Sequence, residues 1–192
     1  NPAHAIAAQF ESMANVGVSV AVMACNTAHA EPIFDVVQDI LTERQVDLKI
    51  LHLIGETVSY IRKRHPDIRK IGILGTQGTY QAKLYDTAIE NAGLEAILPD
   101  PEVRQNKIHA ALYAPGFGIK TSQGVVSDEA RERILSAIEH LRESGAEAIV
   151  LGCTELPLAV TEESIDGMPV IDPAKIMVQR LIEETYPEKL LP

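Results

Sequence analysis

The chain has 192 residues, 46% of them hydrophobic and 23% charged, which is enough apolar material for one sizeable domain or two smaller lobes. A net charge of −10 argues against a nucleic-acid partner, and no apolar run reaches the roughly 18 residues of a membrane span. The first residues lack the pattern of a secretion signal, and two cysteines are too few for a disulfide scaffold, so we expect a cytoplasmic protein in a reducing environment.

Short apolar runs alternate with helical patterns in the first half of the chain. The runs predict strands at 16–24, 48–54 and 70–74, and the first is apolar throughout, as expected for a strand buried on both faces. Between them, apolar residues that recur at helical spacing predict helices at 31–41 and 55–64.

The same alternation continues in the second half. It predicts helices at 79–91, 127–144 and 173–185, and strands at 94–98, 148–151 and 169–171. The segment 99–124, which contains several prolines and glycines, is predicted to be a functional loop. Strands alternating with helices indicate an α/β fold with mostly parallel sheets flanked by helices, in which ligands bind beyond the carboxyl ends of the strands.

The two cysteines follow similar local sequences. AVMACNTA at 21–28 and AIVLGCTEL at 148–156 each run from an apolar strand through Cys25 or Cys153 into a polar residue and a helix-compatible stretch. This echo suggests two similar lobes, each with one thiol at its sheet edge. A buried cysteine is often only a small apolar filler. The alternative is that each thiol lies where a helix begins, and there the helix dipole favours a thiolate.

Two opposed thiols could carry out chemistry without a cofactor. One group can remove a proton from a carbon while the other returns a proton to the opposite face, which is racemisation by general acid–base catalysis. The substrate carboxylate then needs hydroxyl and amide donors. GILGTQGT at 72–79 offers Thr76 and Thr79 for this purpose, although an ordinary strand-to-helix turn explains the same segment equally well.

Five motifs in one order resemble a known family. They are ACNTAH at 24–29, GILGTQGT at 72–79, YAPGFGIK at 113–120, GAEAIVLGCTELPL at 145–158 and PVIDP at 169–173. Together they resemble the aspartate/glutamate racemase family, whose members are cofactor-independent and use two cysteines. The loop at 113–120 is more similar to the aspartate racemase and broader amino-acid racemase branch than to glutamate racemases.

The resemblance implies a role for each matching residue. Cys25 and Cys153 would be the acid/base residues on opposite faces of the substrate α-carbon. Lys120 would pair with a side-chain carboxylate, and Glu155 would meet the substrate ammonium. The remaining expected substrate contacts are polar residues beside the two cysteines and in the glycine-rich turn: Asn26, Thr27, Thr76, Thr79 and Thr154. No histidine spacing indicates a metal site, and His29 is expected to have a structural role.

The resemblance also implies an architecture. Two pseudo-symmetric lobes would face each other across a cleft that holds the active site, with 1–66 and 169–192 in the first lobe and 67–168 in the second. Family members begin with a strand and a glycine-rich loop, so the chain is expected to lack the first ~40 to 50 residues. A homodimer acting on a small amino acid, with no cofactor, is the default expectation. Hydantoin racemisation, maleate isomerisation, an inactive amino-acid-binding protein, and a purely structural or redox role for the two cysteines stay open as alternatives.

Overall fold

A computed structural model describes residues 1–189 of the chain. A small parallel sheet of two strands lies in the first part of the chain. Strand β1 (Val20–Val22) pairs in parallel with β2 (Lys49–Leu51). Helices α1 (Ala3–Asn15) and α2 (Glu31–Glu43) pack together beside it. The apolar faces of these elements form one core, in which the buried residues include Ala7, Phe10, Ala21, Val37 and Leu41.

A five-stranded sheet forms the larger part of the fold, in the order β4-β3-β5-β7-β6. Its strands are β3 (Lys70–Gly75), β4 (Glu95–Ile97), β5 (Ala148–Gly152), β6 (Ser164–Ile165) and β7 (Met168–Ile171). All pairs are parallel except β6 with β7. The register pairs the last residues of β3 and β5, so the segments that follow these two strands leave the sheet side by side.

Long helices cover the sheets and bury a second, larger core. They are α3 (Leu53–Arg64), α5 (Leu84–Asn91), α8 (Asp128–Glu143) and α10 (Pro173–Thr185). Helix α8 begins where the sequence predicts, because Ser127 Oγ accepts a hydrogen bond from the Ala130 amide at 3.1 Å. Helix α10 packs on α3 and on β1, and so connects the end of the chain with both sheets.

The helix predicted at 79–91 is instead two helices. Helix α4 (Gln77–Gln81) ends before Lys83, whose φ of 48° lies in the left-handed region, and α5 begins immediately after it. A left-handed residue cannot continue a right-handed helix. The break turns the chain between the end of β3 and the start of α5.

The predicted loop at 99–124 is helical over half its length. It contains α6 (Pro101–Val103), a π-helical stretch (Arg104–His109) and α7 (Ala110–Tyr113). Pro101 occupies the first helical position, where its missing N–H costs no hydrogen bond, so the proline starts a helix rather than preventing one. Turns then lead to Gly124, and their hydrogen bonds include Ile119 N–H to the Ala111 carbonyl at 2.9 Å.

Short helices and turns make up the rest of residues 1–189. The helix α1 was not predicted, and β1 and β2 are shorter than the apolar runs that contain them. Helix α9 (Leu156–Ala159) follows β5, and a final 3₁₀ turn spans Pro187–Lys189. The division into two lobes stays a prediction; β7, expected with the first lobe, hydrogen-bonds to β5. Within residues 1–189, no helix has the length and apolar character to cross a membrane.

Candidate active site

Cys25 lies just beyond β1, in a segment that polar contacts hold in place. It precedes a 3₁₀ turn (Asn26–His29) at the N-cap position without a capping hydrogen bond from its side chain, is exposed, and its sulfur lies 3.3 Å from Thr27 Oγ1. The buried Asn26 accepts a hydrogen bond from the Tyr85 hydroxyl at 2.6 Å. Because Tyr85 belongs to α5, this bond ties the Cys25 turn to the larger half of the fold.

The glycine-rich turn after β3 is tied to the end of β5. Thr76 caps α4 by accepting from the Thr79 amide at 3.3 Å, and the two threonine hydroxyls are 3.1 Å apart. Thr79 Oγ1 also donates to the Gly152 carbonyl at 3.3 Å. These bonds are those of a capped helix start; they leave Thr76 half-buried and place the buried Thr79 against the residue that precedes Cys153.

Gly78 is the point at which the Cys25 segment meets this turn. A Cβ atom at Gly78 would lie 3.2 Å from Thr27 Cγ2 and 3.7 Å from Thr76 Oγ1. Thr27, the neighbour of the Cys25 sulfur, therefore packs against the turn whose other threonine binds the end of β5. A continuous set of contacts runs from one cysteine to the other through Thr27, Gly78 and Thr79.

Cys153 is the centre of a small polar cluster. The side chain is buried, and its thiol donates to Glu155 Oε2 at 3.1 Å. Thr154 Oγ1 donates to the same oxygen at 3.0 Å. The other carboxylate oxygen, Oε1, lies 2.5 Å from Lys120 Nζ, in an ion pair whose two side chains are each about a quarter exposed. Four residues that the sequence assigned to the site therefore contact one another directly.

The cluster favours the protonated form of Cys153, contrary to the expected helix effect. Burial, and then the hydrogen bond and charge of Glu155, raise the pKa of the Cys153 thiol to about 12, although Lys120 and the Glu155 amide act in the opposite direction. The following helix is one turn long and begins three residues later, at Leu156, so its dipole is too small and too distant to compensate.

Glu155 and Lys120 keep their charges through their contact with each other. Burial opposes the ionised form of Glu155, but hydrogen bonds from Lys120, Cys153 and Thr154 outweigh it and lower its pKa. Burial likewise opposes the charge of Lys120, and the hydrogen bond with Glu155 outweighs it and raises the pKa of the amine. The pair is thus a carboxylate beside an ammonium group.

Tyr113, to which the sequence pattern gave only a packing role, lies beside Lys120 of this cluster. Burial raises the pKa of its hydroxyl, Lys120 opposes this, and Cys153, Glu155 and Cys25 all add to the increase. Lys120, Glu155 and both thiols thus all contribute charge effects at one phenol, with Cys25 the smallest of them. Lys120 Nζ lies 5.8 Å from the centre of the Tyr113 ring. The only indication in the sequence that Tyr113 lies near Lys120 was its position at the start of the 113–120 motif.

Among residues 1–189, the structure contains no group of three or more His, Cys, Asp and Glu side chains arranged to hold a metal ion. The chemical groups around the two cysteines are two thiols, one ion pair, and hydroxyl and amide groups.

Comparison with known proteins finds racemases and a racemase family model. A model of the family described as Asp/Glu/Hydantoin racemase matches residues 1–181. A glutamate racemase of Synechococcus sp. (strain CC9605) is 29% identical over 160 residues, which cover 82% of this chain and 52% of the relative. The chain spans 52% to 58% of the length of curated glutamate racemases that it matches.

Two solved structures share the fold over most of the chain. A putative Asp/Glu racemase from Yersinia pestis is 26% identical with a TM-score of 0.75, covering 95% of this chain and 73% of that one. An aspartate racemase homologue from Pyrococcus horikoshii OT3 is 30% identical with a TM-score of 0.71, covering 94% and 73%. The α/β architecture with mostly parallel sheets flanked by helices is thus the one found in these proteins.

Proposed function

Since the chain belongs to the Asp/Glu/hydantoin racemase family, we propose that it is a cofactor-independent amino-acid racemase that interconverts L- and D-aspartate or related amino acids. In this proposal Cys25 and Cys153 exchange protons with opposite faces of the substrate α-carbon. The protein is expected to act as a homodimer in the cytoplasm.

One observation carries the proposal: two segments 128 positions apart in the chain, each with a cysteine, meet at one glycine-rich turn. The contacts from Cys25 to Thr27, from Thr27 to Gly78, and from Thr79 to the strand end before Cys153 support it. The contribution of both thiols to the raised pKa of one hydroxyl, that of Tyr113, supports it further. A pair of thiols with a purely structural role would not require this convergence.

The proton transfers follow from the different environments of the two thiols. A Cys25 thiolate, beside the Thr27 hydroxyl as a hydrogen-bond donor, takes the α-proton and becomes a thiol. The Cys153 thiol then gives its proton to the opposite face of the carbanion and becomes a thiolate. The burial that keeps Cys153 protonated makes it the proton donor in this direction. The opposite enantiomer reacts by the same steps in reverse.

The substrate charges are matched by groups around these thiols. The hydroxyls of Thr27, Thr76 and Thr79, with the Asn26 amide, are candidates for the α-carboxylate, next to which negative charge develops in the transition state. Lys120 and Glu155 present one positive and one negative group beside Cys153. A substrate with a side-chain carboxylate and an α-ammonium group can exchange partners with this ion pair, which favours an acidic amino acid.

The test is exchange of the α-proton. We expect L-aspartate incubated with the protein in deuterated water to gain deuterium at the α-carbon and to form D-aspartate, as measured by NMR and chiral chromatography. D-Aspartate, glutamate, a hydantoin and maleate complete the substrate panel. Aspartate is expected to exchange fastest because Lys120 can pair with its side chain.

Single-cysteine variants are the matched controls. Cys25→Ser and Cys153→Ser should each abolish racemisation while keeping the unfolding midpoint of the parent protein. Retained racemisation in either variant would contradict the two-thiol mechanism. If aspartate binds in calorimetry but gains no deuterium, the protein is an amino-acid-binding protein and not a racemase. If only a hydantoin exchanges its proton, the substrate class is hydantoins and not amino acids.

A further inference from the structure

Tyr85 contacts both of the segments that carry a cysteine. It lies in α5, is 1% exposed, and donates a hydrogen bond from its hydroxyl to Asn26 Oδ1 at 2.6 Å. The edge of the same ring packs against Gly152, since a Cβ atom at Gly152 would lie 3.1 Å from Tyr85 Cε2. Asn26 directly follows Cys25, and Gly152 directly precedes Cys153. One side chain therefore spans the interval between the two cysteine segments.

The hydrogen bond from Tyr85 determines which end of the Asn26 amide faces outward. Burial raises the pKa of the Tyr85 hydroxyl, and the nearby Thr57 opposes this only in part, so the group keeps its proton and acts as a donor. Oδ1 accepts this proton, and the planar amide then directs Nδ2, with its two N–H donors, away from Tyr85. Within residues 1–189, Nδ2 donates to no group, and it is not closed to solvent. The amide thus presents unused donors beside Cys25.

Tyr80 shows how a buried tyrosine behaves when it only supports the backbone. Its hydroxyl accepts a hydrogen bond from the Gly75 amide at 2.9 Å and donates one to the Ile73 carbonyl at 3.2 Å. Both partners are backbone groups of β3. Tyr85 differs because its hydroxyl holds one end of a side chain whose other end is free to bind a ligand.

We propose that Tyr85 is a positioning residue for substrate binding, which holds Oδ1 of Asn26 and so directs the Nδ2 donors toward the α-carboxylate of the substrate. This inference rests on the racemase function proposed above, in which Asn26 contacts that carboxylate. Without the hydroxyl, the amide can rotate by half a turn and present Oδ1 instead. An amide oxygen and a carboxylate repel each other, because both only accept hydrogen bonds. Tyr85 acts through Asn26 and does not itself touch the substrate.

Tyr85→Phe tests this role, since it removes the hydroxyl and keeps the ring beside Gly152. For the amino acid that the wild-type protein exchanges fastest, we expect KM to rise about tenfold, as for the loss of one hydrogen bond. The kcat should stay within about twofold of wild type, because both thiols and the ring between their segments are unchanged. Tyr80→Phe also removes a buried hydroxyl, and as the matched control it should change neither constant by more than about twofold.

A double-mutant cycle shows whether the hydroxyl acts through Asn26. In the Asn26→Ala background, Tyr85→Phe should change kcat/KM by less than about twofold, because no amide is left to orient. A substitution that only loosens the structure would instead have its full effect in either background. Urea unfolding of all variants measures the accompanying loss of stability.

NMR follows the amide directly and also works on the wild-type protein alone. With nitrogen-labelled asparagine, the Asn26 side-chain signal is the one that Asn26→Ala lacks. The substrate should move this signal saturably, and half of the shift should need about tenfold more substrate in Tyr85→Phe. In the wild-type protein, the hydroxyl proton of Tyr85 should exchange slowly with water and show a nuclear Overhauser contact with the Asn26 amide.

The outcomes separate this inference from the function on which it rests. A wild-type protein that exchanges no substrate would refute the proposed function, and the role of Tyr85 with it. In a protein that does racemise, four results would overturn the role of Tyr85 alone. They are a full effect of Tyr85→Phe in the Asn26→Ala background, a fall in kcat without a rise in KM, an equal rise in KM in Tyr80→Phe, and a wild-type Asn26 signal that lacks the Tyr85 contact or does not respond to substrate.

Discussion

Replacing Glu155 by glutamine should make the Cys153 thiol more acidic. The carboxylate accepts the thiol proton at 3.1 Å and opposes a second negative charge beside it, and both effects raise the pKa of Cys153. Burial, the largest cause of the high pKa, is unchanged in Glu155→Gln. The hydrogen bond and the charge, on a side chain that is a quarter exposed, are together worth about 1.4 kcal/mol, or about one pKa unit. The thiolate fraction at a fixed pH should rise about tenfold.

Lys120→Met should have the opposite effect on the same thiol. The ammonium group lowers the pKa of Cys153, and its removal also leaves the Glu155 carboxylate without its ion-pair partner. Both consequences disfavour a thiolate, so the reactivity of Cys153 should fall. A pair of variants at one ion pair with effects of opposite sign is difficult to explain by general loosening of the structure.

The assay is the rate of thiol modification by a small methanethiosulfonate reagent at several pH values. Peptide mass spectrometry measures Cys25 and Cys153 separately, so the exposed Cys25 serves as an internal reference in every sample. Thr154→Val is the matched control for Glu155→Gln, because it removes a hydrogen bond to the same carboxylate without changing a charge. Urea unfolding of each variant checks that the fold is kept.

The reasoning would be refuted by a Cys153 that reacts at the wild-type rate, or more slowly, in a folded Glu155→Gln protein. It would also be refuted by faster modification of Cys153 in Lys120→Met. An equal increase at Cys25 and Cys153 would indicate a general opening of the structure instead of a local change in acidity.

Three further predictions concern Gly78, His29 and Gly118. A methyl group at Gly78 would lie 3.2 Å from Thr27 Cγ2, so Gly78→Ala should lower kcat/KM for aspartate by about tenfold to a hundredfold, in the exchange assay, with little change in the unfolding midpoint. Burial lowers the pKa of His29 from 6.5 to about 4, so the unfolded state binds more protons than the folded state between these pH values. The free energy of unfolding, measured with urea, should therefore have its highest value above pH 6.5 and fall by about 3 kcal/mol as the pH falls to 4. A methyl group at Gly118 would lie 2.6 Å from the Ala114 amide nitrogen, a backbone atom that cannot move aside, so Gly118→Ala should cost about 1–3 kcal/mol of stability in the same unfolding experiment.

Two variants serve as controls for these three predictions. Gly55→Ala adds a methyl group at an exposed helical position with only an ordinary contact, and it should leave both activity and stability close to wild type. His29→Phe should remove its share of the pH dependence, and a variant with the wild-type slope would contradict the assignment. A wild-type kcat/KM in Gly78→Ala would show that Thr27 is not part of the substrate site. An unchanged unfolding midpoint in Gly118→Ala would show that the turn around Gly118 adapts to the methyl group.

Local signals were sufficient where an element begins and ends on its own residues. Helix α8 extends over Asp128–Glu143, as predicted from Ser127 before it and Gly145 after it. The predictions of one helix at 79–91 and of a loop at 99–124 were wrong, because the helices found there depend on backbone conformations that the pattern of apolar residues does not indicate. The first needs a left-handed residue at Lys83, and the second includes a π-helical stretch.

The site shows the same division. The position of each cysteine just after a parallel strand was predictable, because a continuous apolar run followed by a polar residue indicates the carboxyl end of a buried strand. The role of Tyr113 was not, since its spacing from His109 is equally typical of simple packing, and the two rings are indeed stacked, 4.8 Å apart. Its electrostatic contact with both thiols depends on segments far away in the chain.

The sequence by itself determined the alternation of strands and helices, the family resemblance and the strand ends at which the thiols lie, because these depend on residues that are neighbours in the chain. Only the tertiary structure decided that Lys120 pairs with Glu155, that Glu155 accepts the proton of Cys153, and that burial raises the pKa of this thiol. The physical reason is that desolvation and charge–charge contacts depend on which atoms surround a group after folding, and local spacing does not specify those atoms.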